Sequence, residues 1–357
     1  MTSQHLINLN TLTYNELDGL IKLAGEIKRH PARYIDACHG KVLATLFYEP
    51  STRTQMSFQT AMLRLGGKVI GFDNPQTSSV AKGESLKDTV RVVSGYSDII
   101  VIRHPLAGSA RAASFFSKVP IINAGDGGHF HPTQTLTDLV TLKEEKGRIT
   151  NLCIGLCGDL MNGRTVHSLI SAMCSLEGNS FVLISTKQLS VPSYIKDMLN
   201  AAGAKYIEMN SLEEAMPMLD VLYMTRIQRE RFGSDEEYER QKGVFVLDAK
   251  KMKRAKQDLR VLHPLPRVDE ITVDVDDDPR AVYFEQTEYG MYARMALILE
   301  MTDNAVRTIK GAPKQTHATP CSNPHCITNT ELYLPKLYRE KYGIMTCRYC
   351  DERILER

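Results

Sequence analysis

No stretch of this sequence is apolar for long enough to cross a bilayer as a helix, which excludes a helical membrane protein. Charge of one sign is also missing: 44 Lys and Arg stand against 42 Asp and Glu, a formal net charge of +2. That balance gives no global pull toward nucleic acid or a membrane surface, so any anion must be held by locally placed arginines and helix ends. Met1 to Asn10 lacks a basic segment followed by an apolar one, so a secretory leader is not expected. The expected compartment is the cytoplasm, where thiols stay reduced. There is no internal repeat and no low-complexity tract. What is present is 357 residues, 43% hydrophobic and 24% charged, ordinary for a soluble globular protein of two or three domains.

Hydrophobic periodicity alternates along the chain. Thr13 to Arg29 predicts a helix with capping-box spacing between Thr13 and Glu16. Apolar runs at Lys41 to Tyr48, Val69 to Phe72, Asp98 to Ile102 and Val119 to Asn123 predict strands, with helices at Ser51 onward, Ser85 to Tyr96 and Ala107 to Ser117 between them. A glycine-rich loop, Ala124 to His131, precedes a helix from Pro132 to about Lys146. A second alternating series starts at Asn151, and Gln286 to Thr308 predicts a long helix. Strands alternating with helices imply parallel sheets covered on both faces. The fold class is therefore α/β with two doubly wound parallel-sheet domains, whose ligands are sought in the loops after strands. A linker-like stretch, Lys310 to Pro320, leads to a small C-terminal segment with four cysteines.

Ser51-Thr52-Arg53-Thr54 sits between a strand and a helix. Free N–H groups, three hydroxyls and a guanidinium there suit a phosphate held without metal. The same four residues also suit a plain helix cap with a surface arginine. The longer string Phe47-Tyr48-Glu49-Pro50-Ser51-Thr52-Arg53-Thr54 resembles the carbamoyl-phosphate loop of the aspartate and ornithine carbamoyltransferases. The resemblance runs from about residue 5 to residue 305. It implies the carbamoyltransferase fold, with Ser51, Thr52, Arg53 and Thr54 on the phosphate. Ser78 and Lys82 lie in a loop that, in the family, enters the neighbouring subunit's active site; Lys82 is expected to reach both the phosphate and the second substrate's carboxylate. Arg103 and His131, helped by Thr54, resemble the groups on the carbamoyl oxygen. Gln134 and the backbone at Leu265 and Pro266 resemble the receivers of the carbamoyl amide. Outside the family, a histidine such as His129 or His131 at this turn would more often be structural or solvated.

The acceptor is read elsewhere. Aspartate brings two carboxylates, so its site needs more positive charge than one for ornithine. Arg164, in Gly158-Asp159-Leu160-Met161-Asn162-Gly163-Arg164, and Arg226 with Gln228, in Met224-Thr225-Arg226-Ile227-Gln228, resemble aspartate-binding elements. Arg226 also has Glu230 one turn away as an ion-pair partner. Pro264 stands where ornithine enzymes carry a cysteine, and their acidic serine- and methionine-containing loop is missing. The resemblance is thus to the aspartate branch, the committed step of pyrimidine biosynthesis. The family reading uses no dedicated nucleophile or general base: Arg53, Thr54, Lys82, Arg103 and His131 would carry catalysis. It also implies a homotrimer with shared active sites, leaving open a pairing of two trimers. An enzymatically dead metal- and partner-binding subunit is the reading from another class; the presence of every anion-site side chain argues against it.

Cys321 and Cys326 have four residues between them and Cys347 and Cys350 have two, spacing that resembles a closed zinc ribbon-like site with one structural zinc. The strings around them resemble the zinc domain of the separate regulatory chain of aspartate carbamoyltransferases. The effector-nucleotide domain of that chain has no counterpart here, so the module is expected to staple subunits rather than relay an effector. Mixed charges around the cysteines argue against a nucleic-acid interface. Cys38, Cys153, Cys157 and Cys174 read as core fillers, and His317 and His325 as surplus to four ligands. The expected domains are 1–132 for carbamoyl phosphate, 133–285 for aspartate, a helix at about 286–308 packing back on the first, a linker at 309–320, and a zinc domain at 321–357.

Overall fold

The computed structural model describes residues 4–227, 229, 232–303, 309, 311–341 and 344–353. The chain divides into two compact units, Met1–Thr133 with Met291–Arg357, and Gln134–Gly290.

In unit 1, α1 (Tyr14–Arg29) starts at a complete capping box: Glu16 N–H donates to the Thr13 hydroxyl and Thr13 N–H to the Glu16 carboxylate. The strands β1 (Val42–Phe47), β2 (Lys68–Phe72), β3 (Ile99–His104) and β4 (Ile121–Asp126) form a parallel sheet in the order β2-β1-β3-β4. All of β3 and β4 is buried, as expected of continuous apolar runs, whereas β2 at the edge is largely exposed. Helices α2 (Thr52–Arg64), α3 (Leu86–Val93) and α4 (Ser109–Ser114) connect these strands. The order reverses between β1 and β3, which places the loops after those two strands side by side, where open α/β sheets bind ligands.

Helix α4 is shorter than the predicted Ala107 to Ser117. The backbone of Ala107 is engaged elsewhere: its N–H donates to the His325 carbonyl at 2.9 Å and its carbonyl accepts from Ile327 N–H at 3.0 Å. The four-cysteine segment therefore docks on unit 1 by a strand-like bridge. Cys321, Cys326, Ile327, Leu334, Leu337 and Tyr349 join Ala44, Leu46, Ile102 and Phe116 in one apolar core. Gly108 (φ 82°) lies so close to the module that a Cβ there would meet Tyr349 Cβ at 2.5 Å.

Helix α5 (Pro132–Lys146) carries the chain into unit 2. There β5 (Cys153–Cys157), β6 (Ser180–Ile184), β7 (Lys205–Met209), β8 (Val221–Met224) and β9 (Arg260–Leu262) form a second parallel sheet, ordered β7-β6-β5-β8-β9. Its reversal lies between β5 and β8. The helices α6 (Arg164–Met173) and α7 (Ser193–Ala201) follow β5 and β6. The long C-terminal helix spans Tyr283–Asp303, three residues earlier at its start than periodicity predicts. Predicted residues 304–308 lie outside the described ones. The hairpin β10 (Tyr338–Lys341) and β11 (Ile344–Cys347) completes the cysteine module. Thr316 and His317 of the expected linker already donate to the Lys336 carbonyl, at 3.0 and 3.3 Å. No helix of the described residues is long and apolar enough to cross a membrane.

Candidate active site and metal centre

Unit 1 gathers cationic and hydroxyl groups at its switch point. Ser51 occupies the position before α2 but does not cap it; its hydroxyl donates to Thr54 Oγ1 at 3.1 Å. The N-terminal N–H groups of α2 are thus left for an anion. Thr54 is buried, while Thr52 and Arg53 are exposed. Arg103 leaves β3 at a register shift between Ile102 and His104, and such irregularities re-aim side chains beside functional sites. Its Nη1 donates to the Ala124 carbonyl at 3.3 Å, and Nη2 lies 3.0 Å from Glu49 Oε2. That ion pair is poorly aligned, because Glu49 Oε2 makes no hydrogen bond and the buried Arg103 Nε has no partner among the described residues. Burial depresses the Arg103 pKa, Glu49 opposes this, and Arg53 is near enough to depress it further by repulsion. Two guanidiniums that repel one another and remain charged favour a multiply charged anion.

His131 is buried, with Nδ1 3.4 Å from the Thr133 hydroxyl. Gly125 (φ 123°) leaves room for both groups: a Cβ would lie 3.0 Å from Arg103 Nη1 and 3.5 Å from His131 Cδ2. Ser78 and Lys82 sit on a separate turn. The Ser78 hydroxyl donates to the Pro75 carbonyl at 2.8 Å, and Lys82 is exposed.

Unit 2 has a second set. Arg164 begins α6 after the β5 loop, and Arg226 follows β8 by two residues. Both are half-buried. The two loops touch: Thr225 N–H donates to the Cys157 carbonyl at 2.9 Å, and a Cβ on Gly158 (φ 117°) would lie 2.3 Å from the Thr225 carbonyl oxygen. Only glycine permits that approach. Gln134 Nε2 donates to Asp138 Oδ1 at 2.9 Å. Leu265 (φ 53°) and Pro266 share a cis peptide, and Leu265 N–H donates to His263 Nδ1 at 2.7 Å. That bond makes Nδ1 the acceptor, so Nε2 carries the proton toward Glu270 Oε1 at 2.7 Å. Burial works to raise the Glu270 pKa, but His263 and backbone N–H groups hold it low. Gln228 and Glu230 lie outside the described residues.

The four C-terminal thiols converge. Cys321 Sγ and Cys350 Sγ are 3.5 Å apart, Cys326 Sγ and Cys347 Sγ 3.9 Å, and all four sulfurs lie within 4.8 Å of one another. Disulfides would need about 2.05 Å. A tetrahedral thiolate site with roughly 2.3 Å bonds needs sulfurs about 3.8 Å apart, which this set matches. The other thiols are separate; Cys38 and Cys157 are buried, and burial pushes the Cys157 thiol well up.

Comparison with known proteins agrees with this geometry. Residues 4–144 match the family described as aspartate/ornithine carbamoyltransferase, carbamoyl-P binding domain. Residues 150–301 match its Asp/Orn binding domain. The aspartate carbamoyltransferase catalytic subunit of Clostridium perfringens (strain SM101) is 56% identical over 306 residues, covering 85% of this chain and 100% of that one. This chain belongs to the aspartate carbamoyltransferase family. The catalytic subunit of Lachnoclostridium phytofermentans is 57% identical over 297 residues, covering 83% of this chain and 97% of its own. Among solved structures, the catalytic subunit of M. jannaschii aspartate transcarbamoylase superposes with TM-score 0.80 at 47% identity, covering 85% of this chain and 99% of that one. The Trypanosoma cruzi enzyme in complex with N-(phosphonacetyl)-L-aspartic acid gives 0.77 at 37%, covering 83% and 94%. Residues 317–357 match the aspartate carbamoyltransferase regulatory chain, metal binding domain. A carbamoyltransferase catalytic chain and a regulatory-type metal domain are thus continuous in one polypeptide.

Sequence reasoning missed three supporting residues. Glu49 has no role of its own in the string that resembles the carbamoyl-phosphate loop, yet it is the counter-ion of Arg103. Asp138, fully buried on α5, accepts from Gln134, Gln286 and Tyr223 at once. An acid amid the threonines and leucines of the helix predicted from Pro132 was the available signal. His129, which sequence alone reads as structural or solvated, bridges two aspartates.

Proposed function

We propose that this chain transfers the carbamoyl group of carbamoyl phosphate to the amine of L-aspartate, giving N-carbamoyl-L-aspartate and phosphate. The observation that carries the reading is the buried, incompletely bonded Arg103 at the β1/β3 switch point, with Arg53 near enough to repel it and His131 sharing its closeness to Gly125. An oxygen acceptor from a ligand would satisfy Arg103 Nε, and the free helix end at Ser51, Thr52, Arg53 and Thr54 suits the phosphate.

In this reading Arg103, His131 and Thr54 bind the carbamoyl oxygen. Gln134 and the backbone at Leu265 and Pro266 take the amide, a role supported by the fixing of Leu265 through His263 and Glu270. Arg164, Arg226 and Gln228 bind the carboxylates of aspartate. Ser78 and Lys82 act on phosphate, and Lys82 also on aspartate, from a neighbouring subunit of a trimer. The neutral amine nitrogen attacks the carbamoyl carbon, and charge gathers on the former carbonyl oxygen, where each preorganised donor is worth about 2.7–4 kcal/mol. The C–N bond forms first, giving a tetrahedral intermediate; its collapse restores the carbonyl and breaks the C–O bond to phosphate, and the departing phosphate accepts the amine proton. Orientation of the two reactants supplies up to roughly 7–11 kcal/mol. The cysteine cluster would hold one zinc as a closed, structural site. The reducing cytoplasm, which keeps such thiolates available, is the proposed compartment.

The test is a product assay with carbamoyl phosphate and either aspartate or ornithine at equal concentration. Carbamoyl-aspartate as the sole product is expected. Carbamoylation of ornithine instead, or no product, would overturn the assignment.

A further inference from the structure

The proposed transfer gives His129 no role, yet this side chain is held at both ends. It lies on the loop between β4 and α5, two residues before His131. Its Nδ1 is 3.1 Å from Asp126 Oδ2 and its Nε2 is 3.1 Å from Asp351 Oδ2. Asp351 follows Cys350 directly. Its left-handed backbone (φ 58°) and the bond from its N–H to the Cys347 carbonyl, at 2.9 Å, make its place part of the cysteine turn. Arg339 Nη2 holds its other oxygen at 2.6 Å.

The connection continues inward from Asp126, which is fully buried. Its Oδ1 accepts from Asn123 Nδ2 and from Phe130 N–H, both at 3.0 Å, and its Oδ2 accepts from Gly108 N–H at 2.8 Å. Asn123 Oδ1 in turn accepts from Gly125 N–H at 2.9 Å. Gly125 is the residue against which Arg103 and His131 rest. An unbroken series of hydrogen bonds therefore runs from the cysteine turn, through His129, Asp126 and Asn123, to the backbone beneath the proposed carbamoyl-oxygen donors. The side chains it joins come from sequence positions as far apart as 123 and 351.

We propose that His129 is a positioning residue for carbamoyl phosphate: by clasping Asp351 of the cysteine module to Asp126, it fixes the loop on which Arg103 and His131 bear. The metal module thereby sets the geometry of the carbamoyl site within its own chain. This rests on the assignment of Arg103 and His131 given above. Reacting groups must be held to about half an ångström, so a loosened loop weakens binding without removing any ligand-contacting group.

His129→Asn separates the two ends. Asparagine can still donate to Asp126 from the position of Nδ1, but it cannot reach Asp351. Asp351→Ala cuts the same contact from the module side. With the full-length chain, each single variant is expected to raise the KM for carbamoyl phosphate about tenfold. The double variant should be no worse than either single, because both remove one link. The KM for aspartate and the metal content per chain should stay within twofold of the parent. A carbamoyl phosphate KM unchanged in His129→Asn, or effects that multiply in the double variant, would overturn the proposal. Arg103→Ala, run in the same series, separates the two ideas: if its carbamoyl phosphate kinetics match the parent, the site assignment itself has failed.

Discussion

Replacing Tyr349 by alanine tests whether the cysteine module and the first α/β sheet form one cooperative structure. The ring is 1% exposed, packs edge-on to Phe115 at 6.0 Å between centroids, and covers Gly108. Its hydroxyl donates to the Pro335 carbonyl at 2.9 Å. Truncating a large buried aromatic side chain costs about 3–5 kcal/mol. The lost hydrogen bond adds on the order of 1 kcal/mol if the carbonyl stays dry. For a unit of this size 1 kcal/mol moves the midpoint by roughly 2–4 °C, so a fall of about 6–24 °C is expected in thermal unfolding followed by circular dichroism. Leu332→Ala is the control; Leu332 is 78% exposed and should move the midpoint by less than about 1 °C. The reasoning fails if Tyr349→Ala unfolds at the parent temperature. It also fails if the module melts in a separate transition while the sheet is unaffected, since the shared core requires the two to respond together.

Arg103→Ala should lower kcat by about 10²–10³ in steady-state assays while costing little stability, because its partner Glu49 is partly exposed and poorly aligned; a large stability loss with normal turnover would reverse that assignment. His129 gives a pH signature. Burial disfavours its charged form, but Asp126 and Asp351 outweigh burial and push its pKa up to about 9; Arg339 and Arg111 are the cations that face this pair from the module and α4. A raised pKa means that the stabilisation is complete below the ordinary value near 6.5 and is lost as pH rises through about 9, a change on the order of 1–3 kcal/mol. Urea denaturation at pH 6.5 and 9.5 should show it, and His129→Asn should flatten it. Removing metal with a chelator should unfold the cysteine module, read as loss of protection from thiol reagents at Cys321, Cys326, Cys347 and Cys350. If the four thiols react no faster after chelation, no metal holds them.

Much of the architecture was legible because it is written in short-range pattern. The capping box at Thr13 and Glu16, the buried runs of β1 and β3, and the helix starting at Pro132 each depend on neighbours a few residues apart. The second alternating series, read from Asn151, likewise starts within two residues of β5. The hydroxyl-and-arginine segment at Ser51 to Thr54 and the paired cysteines are equally local. What the pattern did not contain was long-range pairing. Helix α4 stopped short because Ala107 pairs with residues more than two hundred positions later. β4 extended to Asp126 because His104 pairs with it, which no apolar periodicity signals. The Ser51 oxygen suits a cap on α2, accepting from a backbone N–H, yet its hydroxyl donates to Thr54 Oγ1 instead, a choice that only folded geometry decides. The same applies to the cysteine module: its metal-binding spacing was visible, whereas its use of the first sheet's core was not.

The central claim is that a metal-free cradle at the start of α2, completed by Arg103 and His131, binds carbamoyl phosphate. Isothermal titration of carbamoyl phosphate into the parent chain and into Arg53→Ala, without aspartate, tests it most directly. The account predicts one saturable site per chain in the parent and at least about a hundredfold weaker binding in the variant, with an unchanged melting temperature. Equal affinity in the two proteins would contradict it.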